Sequence, residues 1–343
     1  LGQQAVMSWS TVVEALGTVA RYIAAVTSKA FVAPAGEFAL ASLAVAFGIA
    51  AVFLLLRRSP GRRRVRLRVI VRALVPRRWW RTPSARADIG LAVFNLFLFG
   101  LLLGWAVLSS QAISRWVGSG LTSAFGAPSP AAVPDVVAMA IVTVVLFLAY
   151  ELGYWVDHFL AHRVPFLWEL HKVHHAAETL SPLTNARVHP GDTIVFYNIT
   201  ALFMGAAGGL TYYLLGRRVP ELSLYSANAL AFLFGYLTNH LHHSHMWIAF
   251  TGIWGKLLIS PAHHQIHHST NPIHFDKNLG SSLAIFDWLF GTLHIPQAKR
   301  EKLTFGIEPQ AISPHSVEGA LVEPVRQALS HLAPAGRSGE RTA

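Results

Sequence analysis

The 343-residue sequence contains no cysteine. Disulfides, iron–sulfur clusters, thiolate-bound haem and a cysteine nucleophile are therefore excluded. Charge is scarce as well: Asp, Glu, Lys and Arg together make up 13% of the chain, about half the share usual in a soluble domain. Acidic residues are the scarcer sign, 17 against 28 Lys and Arg, for a net charge of +11. The zinc-protease pattern HExxH is absent. Apolar residues fill the space that charge vacates, at 53% of the chain. Many of them fall in runs near the roughly 20 residues needed to cross a bilayer.

Five such runs are visible: Phe38–Leu56, Ile89–Ser109, Val133–Trp155, Thr193–Leu215 and the shorter Leu222–Leu237. Residues 8–32 are mixed and read as a surface or partly inserted helix. The expected architecture is an all-α integral-membrane helical bundle with four to five spanning segments. It divides into an N-terminal part (1–36), two spans with an Arg-rich loop (37–132), a histidine-bearing domain (133–300) and a polar tail expected to be disordered (301–343). No cleavable signal peptide is expected, and the residues before Met7 are assigned no function.

Twelve arginines lie between Arg57 and Arg86. They directly follow an apolar run, so they read as a segment on the cytoplasmic membrane surface and not as a nucleic-acid site. Counting spans from that loop brings His158 and His240 back to the cytoplasmic side, and the bacterial inner membrane is the expected location. Arg217 and Arg218, at the tip of the last hairpin, run against this count.

Histidine is the residue in excess, with 18 copies, most between His158 and His294. His158 and His162 stand four apart; His171, His174 and His175 follow. A third group holds His240, His242, His243 and His245, and a fourth His263, His264, His267 and His268. Spacings of three and four put imidazoles on one helix face. Neutral imidazole is a ligand for iron, zinc, copper and nickel. About ten such ligands exceed the roughly three to six that one ion takes and suit two ions close together. Asp157, Glu169, Glu178, Asp276 and Asp287 read as groups that orient imidazole N–H bonds. His189, His274, His294, His315 and His331 read as structural. A histidine-rich metal transporter is the competing class, but it would place ligands and carboxylates near the middle of the spans.

The order HxxxH, HxxHH, a middle cluster, then HxxHH resembles the sterol desaturase / fatty acid hydroxylase superfamily over Val133 to Pro296. Pro261, Asn278, Gly280, Asp287, Trp288, Phe290, Gly291 and Thr292 are similar to its C-terminal signature. The resemblance implies metal ligation by His158, His162, His171, His174, His175, His264, His267 and His268, with His240 and His243 as the best pair from the third cluster and His242 and His245 as alternates. It implies two irons, O₂ and two electrons per turnover acting on a lipid C–H bond, with hydroxylation favoured over desaturation. The lipid is a fatty acyl chain, a sterol or hopanoid, a carotenoid or an aminolipid. Zinc is an expected contaminant, because a nitrogen-rich site prefers it to Fe(II). His189-Pro190-Gly191-Asp192 lacks the second glycine of a cytochrome b5 haem motif and reads as a turn. Electrons are expected from a separate cytochrome b5, ferredoxin or flavoprotein, which a basic surface would attract.

Overall fold

The structure is a computed structural model that describes residues 9–56 and 67–332. Six of the twelve arginines (Arg57, Arg58, Arg62, Arg63, Arg64 and Arg66) and the last eleven residues lie outside that description.

The described residues are mostly helical. Helix α1 is Trp9–Thr27, α2 Leu40–Leu56, α3 Leu67–Leu74, α4 Pro83–Phe94, α5 Ser110–Phe125, α6 Asp135–Arg163, α7 Pro165–His175 and α8 Pro190–Leu215. After them come α9 Ala229–Phe234, α10 Pro261–His267, α11 Ile285–Phe290 and α12 Glu323–Ser330. Three stretches are long and apolar enough to cross a membrane: Pro83–Phe125, Asp135–Arg163 and Pro190–Leu215. Helix α2 is apolar but shorter. The expected span Leu222–Leu237 does not form one helix. It opens with a two-stranded hairpin pairing Ser223 with Asn228 and Leu224 with Ala227, turned by Tyr225 and Ser226 at φ 51° and 67°. Only then does α9 begin.

The run Pro83–Phe125 extends well past the expected end at Ser109. It breaks at residues 107–109, where backbone groups lose their helical partners. Asn198 of α8 supplies them: its Oδ1 accepts from Leu108 N at 2.7 Å and its Nδ2 donates to the Ala106 carbonyl at 3.0 Å. A break at membrane depth is tolerable only with such substitutes. Beyond it, α5 lies flat on α8 because α8 presents glycines. A Cβ at Gly205 would sit 2.6 Å from Ile113, and one at Gly209 would sit 2.7 Å from the Ser114 carbonyl. Small residues that let backbones approach are the usual basis of helix association in lipid.

The tail is ordered as far as residue 332. Residues 318–330 form a continuous helical element whose last part, α12, packs on α7. The expectation of disorder from residue 301 is thus corrected over the described portion. The physical reason is local: Ala320 and Ala328 are buried, Gln327 is hydrogen-bonded to Lys172, and Arg187 donates to the Pro314 carbonyl at 3.1 Å.

Candidate metal centre

Helix α6 carries His158 and His162 on its last two turns. Pro165 restarts the chain as α7, which returns His171, His174 and His175 beside them. Helix α10 is fixed at its start by Ser260, whose hydroxyl accepts from the His263 backbone while the His263 ring reaches back to the Ser260 N–H. That capping box aims His264, His267 and His268 inward.

These side chains sort into two groups. His158, His162, His171, His175 and His267 form one; His174, His243, His264 and His268 form the other. Within each group the candidate ligand atoms all lie within 4.8 Å of one another.

The hydrogen bonds give the donor chemistry. In the first group, His158 Nδ1 lies 2.8 Å from the Leu279 carbonyl, His267 Nδ1 2.9 Å from the Lys277 carbonyl and His171 Nδ1 3.0 Å from Asp192 Oδ2. A carbonyl or carboxylate can only accept, so each Nδ1 carries the proton and each Nε2 presents a lone pair. All five Nε2 atoms of this group are buried and without a hydrogen-bond partner. Convergent lone pairs with no proton between them repel unless a cation sits among them, which is the arrangement of metal-binding imidazoles held from behind.

The second group is tighter. His243 Nε2 lies 2.8 Å from His264 Nε2 and 3.1 Å from both His174 Nε2 and His268 Nε2. Ligand nitrogens about 2.0–2.1 Å from a tetrahedral ion stand about 3.3 Å apart, so the spacing suits a single ion. His174 Nδ1, 3.2 Å from the Arg187 carbonyl, again leaves its Nε2 as an acceptor. Burial and the neighbouring imidazoles hold His174, His243, His264 and His268 well below the usual histidine range, and burial brings His267 down to about 3. The rings are therefore neutral, as ligands must be.

Nine of the ten expected ligands thus meet. His240 does not: its Nε2 is 2.9 Å from Ser42 Oγ and its ring stacks on Phe38. The helical step from 240 to 243 suggested one face, but the chain leaves the helix at His243 (φ −93°, ψ 50°), which breaks that register. Among the alternates, His245 Nε2 lies 2.6 Å from the Ala73 carbonyl. His242 stacks on His264 with its Nε2 buried and unpartnered.

The supporting carboxylates also differ from expectation. Asp276 does face His162, at 3.4 Å, and that contact holds its carboxyl below the usual range. Asp287 acts one step removed. Its Oδ1 accepts from Leu279 N and its Oδ2 from Gly280 N, both at 2.8 Å, and so it fixes the carbonyl that holds His158. Glu169 pairs with Lys172, and Glu178 with His315. Asp157 has a buried unpartnered oxygen. Asp192 holds His171, and the sequence reading missed it. Its only sequence signal was its place one turn into a helix that starts beside the second histidine box.

The loop after α10 is strained for this purpose. Asp276 and Asn278 adopt φ 57° and 58°, a region that asparagine and aspartate tolerate better than other side chains. Those two left-handed residues alternate with Lys277 and Leu279, whose carbonyls meet His267 and His158. Asn278 is locked by bonds to the His263 carbonyl at 3.1 Å and to His294 N at 2.7 Å.

A cavity of about 560 Å³ opens onto both groups, touching His158, His171, His174, His243 and His264. Its other walls include Tyr150, Tyr154, Phe196, Glu37 and Asp157, and no lysine or arginine among the described residues lines it.

Helices able to span a membrane, with two histidine clusters held from behind at one end, define a membrane metalloprotein. Residues 143–292 match the family model for fatty acid hydroxylase. It is 28% identical over 189 residues to human alkylglycerol monooxygenase, covering 54% of this chain and 36% of that protein. It is 33% identical over 163 residues to the ornithine lipid hydroxylase OlsE of Rhizobium tropici, covering 48% and 45%. A protein of Arabidopsis thaliana named as a Delta(7)-sterol-C5(6)-desaturase is 30% identical over 165 residues, covering 46% and 49%. The chain thus spans less than half the length of these curated relatives. No solved structure matches it.

Proposed function

We propose that this protein is a membrane-bound, O₂-dependent oxidoreductase that holds two irons and hydroxylates a C–H bond of a lipid. The observation that carries the reading is the set of five buried, unpartnered Nε2 atoms beside a second tight cluster of four, both opening on one cavity. Two irons bound by these nine histidines would supply the O₂ activation that an unactivated C–H bond demands. The chain's own residues do the positioning. The Leu279 and Lys277 carbonyls, Asp192 and Asp276 fix the imidazole protons on Nδ1, and Tyr154 and Phe196 narrow the cavity next to His158. His242 is the tenth ligand candidate in place of His240.

The cavity also bears on the substrate. Glu37 and Asp157 line it without an ion-pair partner among the described residues. Burial raises the Glu37 carboxyl above the usual range, and a wholly apolar occupant such as a carotenoid would leave these polar carboxyl groups without hydrogen-bond partners. A lipid with amine or hydroxyl donors in its head suits them, and the match to an ornithine lipid hydroxylase agrees. Desaturation at the same site is the second reading, supported by the match to the protein named as a sterol desaturase. Electrons would come from a separate cytochrome b5, ferredoxin or flavoprotein at the basic, cytoplasmic face.

Lipid mass spectrometry of cells with and without the protein tests the reading. A gain of one oxygen in a lipid supports hydroxylation, and a loss of two hydrogens supports the second reading. Metal flux across liposomes with no reductant-dependent O₂ uptake would sink both in favour of a transporter.

A further inference from the structure

A second cavity lies at the other end of the bundle. Its nearest point on α6, Leu146, is twelve residues from His158, about 18 Å along the helix. It is a groove of about 830 Å³ between α5 and α6, floored by α8 at Gly208. The two walls differ. Val142 and Leu146 make the α6 wall apolar, whereas α5 presents Ser114, Arg115, Ser119 and Thr122. Arg217, Arg218 and Glu221 close the end.

Most of the charge there is already spoken for. Arg217 bonds Asp135 at 2.5 Å and the Val133 carbonyl at 2.8 Å. Glu221 accepts from Asn228 at 2.6 Å. Arg115 and Arg218 have no ion pair or hydrogen bond within the described chain. An arginine part-way along a candidate span needs an anion or water at its head, and its stem can reach along the groove toward the surface. The pair Arg217–Arg218 is also the one that runs against the positive-inside count.

We infer that this groove holds an anionic phospholipid, with its phosphodiester between Arg115 and Arg218 on the hydroxyl-bearing wall and an acyl chain along Val142 and Leu146. Guanidinium forks match phosphate oxygens, and the apolar wall fits a lipid where a free phosphate would leave it exposed.

The test is native mass spectrometry of the full-length, metal-loaded protein in detergent. It is titrated with phosphatidylglycerol, phosphatidylcholine or inorganic phosphate. Wild type retains phosphatidylglycerol at least fivefold over phosphatidylcholine, and phosphate does not displace it. Arg115→Gln/Arg218→Gln loses that preference with unchanged metal content. Arg218→Gln alone, an exposed change in the loop after α8 that spares folding, lowers the preference at least twofold. Undiminished preference in Arg218→Gln, displacement by phosphate, or a dimer that dissociates in the double variant would overturn the inference; the last would show that a second copy covers the groove.

Discussion

Arg187 holds His174 through its backbone and the helix of His174 through its side chain. His174 Nδ1 lies 3.2 Å from the Arg187 carbonyl, while Arg187 Nε donates to the Val173 carbonyl at 2.7 Å. The guanidinium is wholly buried and pairs with Asp88 at 2.9 Å. It also reaches Ser84, Pro314 and His315. One side chain thus ties α4, the histidine helix α7 and the C-terminal segment together. Replacing it by alanine strands the Asp88 carboxylate and should cost about 3–5 kcal/mol. Arg187→Lys keeps the charge but has too few donors for all five contacts. We expect it to fold with a lowered melting temperature and to lose metal from the His174 group first. Unchanged melting and metal content in Arg187→Lys would show that the contacts do not position the cluster.

The two histidine groups should fail separately. His267→Ala is expected to lose the metal of the five-histidine group and His174→Ala that of the other, each falling from about two bound ions to about one with turnover abolished. Elemental analysis of the purified variants reads this directly. Full activity in both would rule out the centre.

His240 and His242 should exchange the roles that spacing assigns them. His240→Ala removes a bond to Ser42 and a ring stack, so metal content should stay near two. His242→Ala should weaken metal retention during chelator washes by tenfold or more. The opposite ranking would restore His240 as a ligand.

Stability without metal should depend on pH in a definite direction. His240 and His242 are brought from 6.5 to about 4, and His263 and His267 to about 3, by burial first of all. Between those values and 6.5 the unfolded chain binds protons that the folded chain refuses. Stability is therefore held above pH 6.5 and lost as pH falls below it. Each such ring contributes a slope of up to about 1.36 kcal/mol per pH unit. Thermal melts of chelator-treated protein from pH 7.5 to 5 should fall steeply, and a flat profile would refute the burial.

Gly209 tests the seam between α5 and α8. A methyl group there meets the Ser114 carbonyl and Val117 at 2.7 Å. Gly209→Ala should cost about 1–3 kcal/mol in detergent melts, whereas Gly120→Ala, which meets nothing within 4 Å, should not destabilise. Equal melting of the two would mean that the helices are not in contact.

The sequence by itself determined the solvent, the helical class and the clustering of histidines that suits metal binding. Those are properties of composition and short spacing: scarce charge, apolar runs, and imidazoles three and four apart carry their meaning without a fold. Nine of the ten histidines it singled out lie in the two clusters. Only the tertiary structure decided how the histidines divide, because one group mixes residues from α6, α7 and α10 and the other residues from α7, α10 and the loop after α9. It moved His240 aside through a departure from helix geometry at His243, which spacing does not reveal. It found Asp192 and Arg187, whose partners lie across turns and helices, and it drew the tail onto α7 through a few buried alanines. It also joined Pro83–Phe125 across a break that Asn198 repairs from another helix. Spacing along one helix is local physics; the partners that orient a ligand or replace a missing backbone bond come from chain segments that only folding brings near.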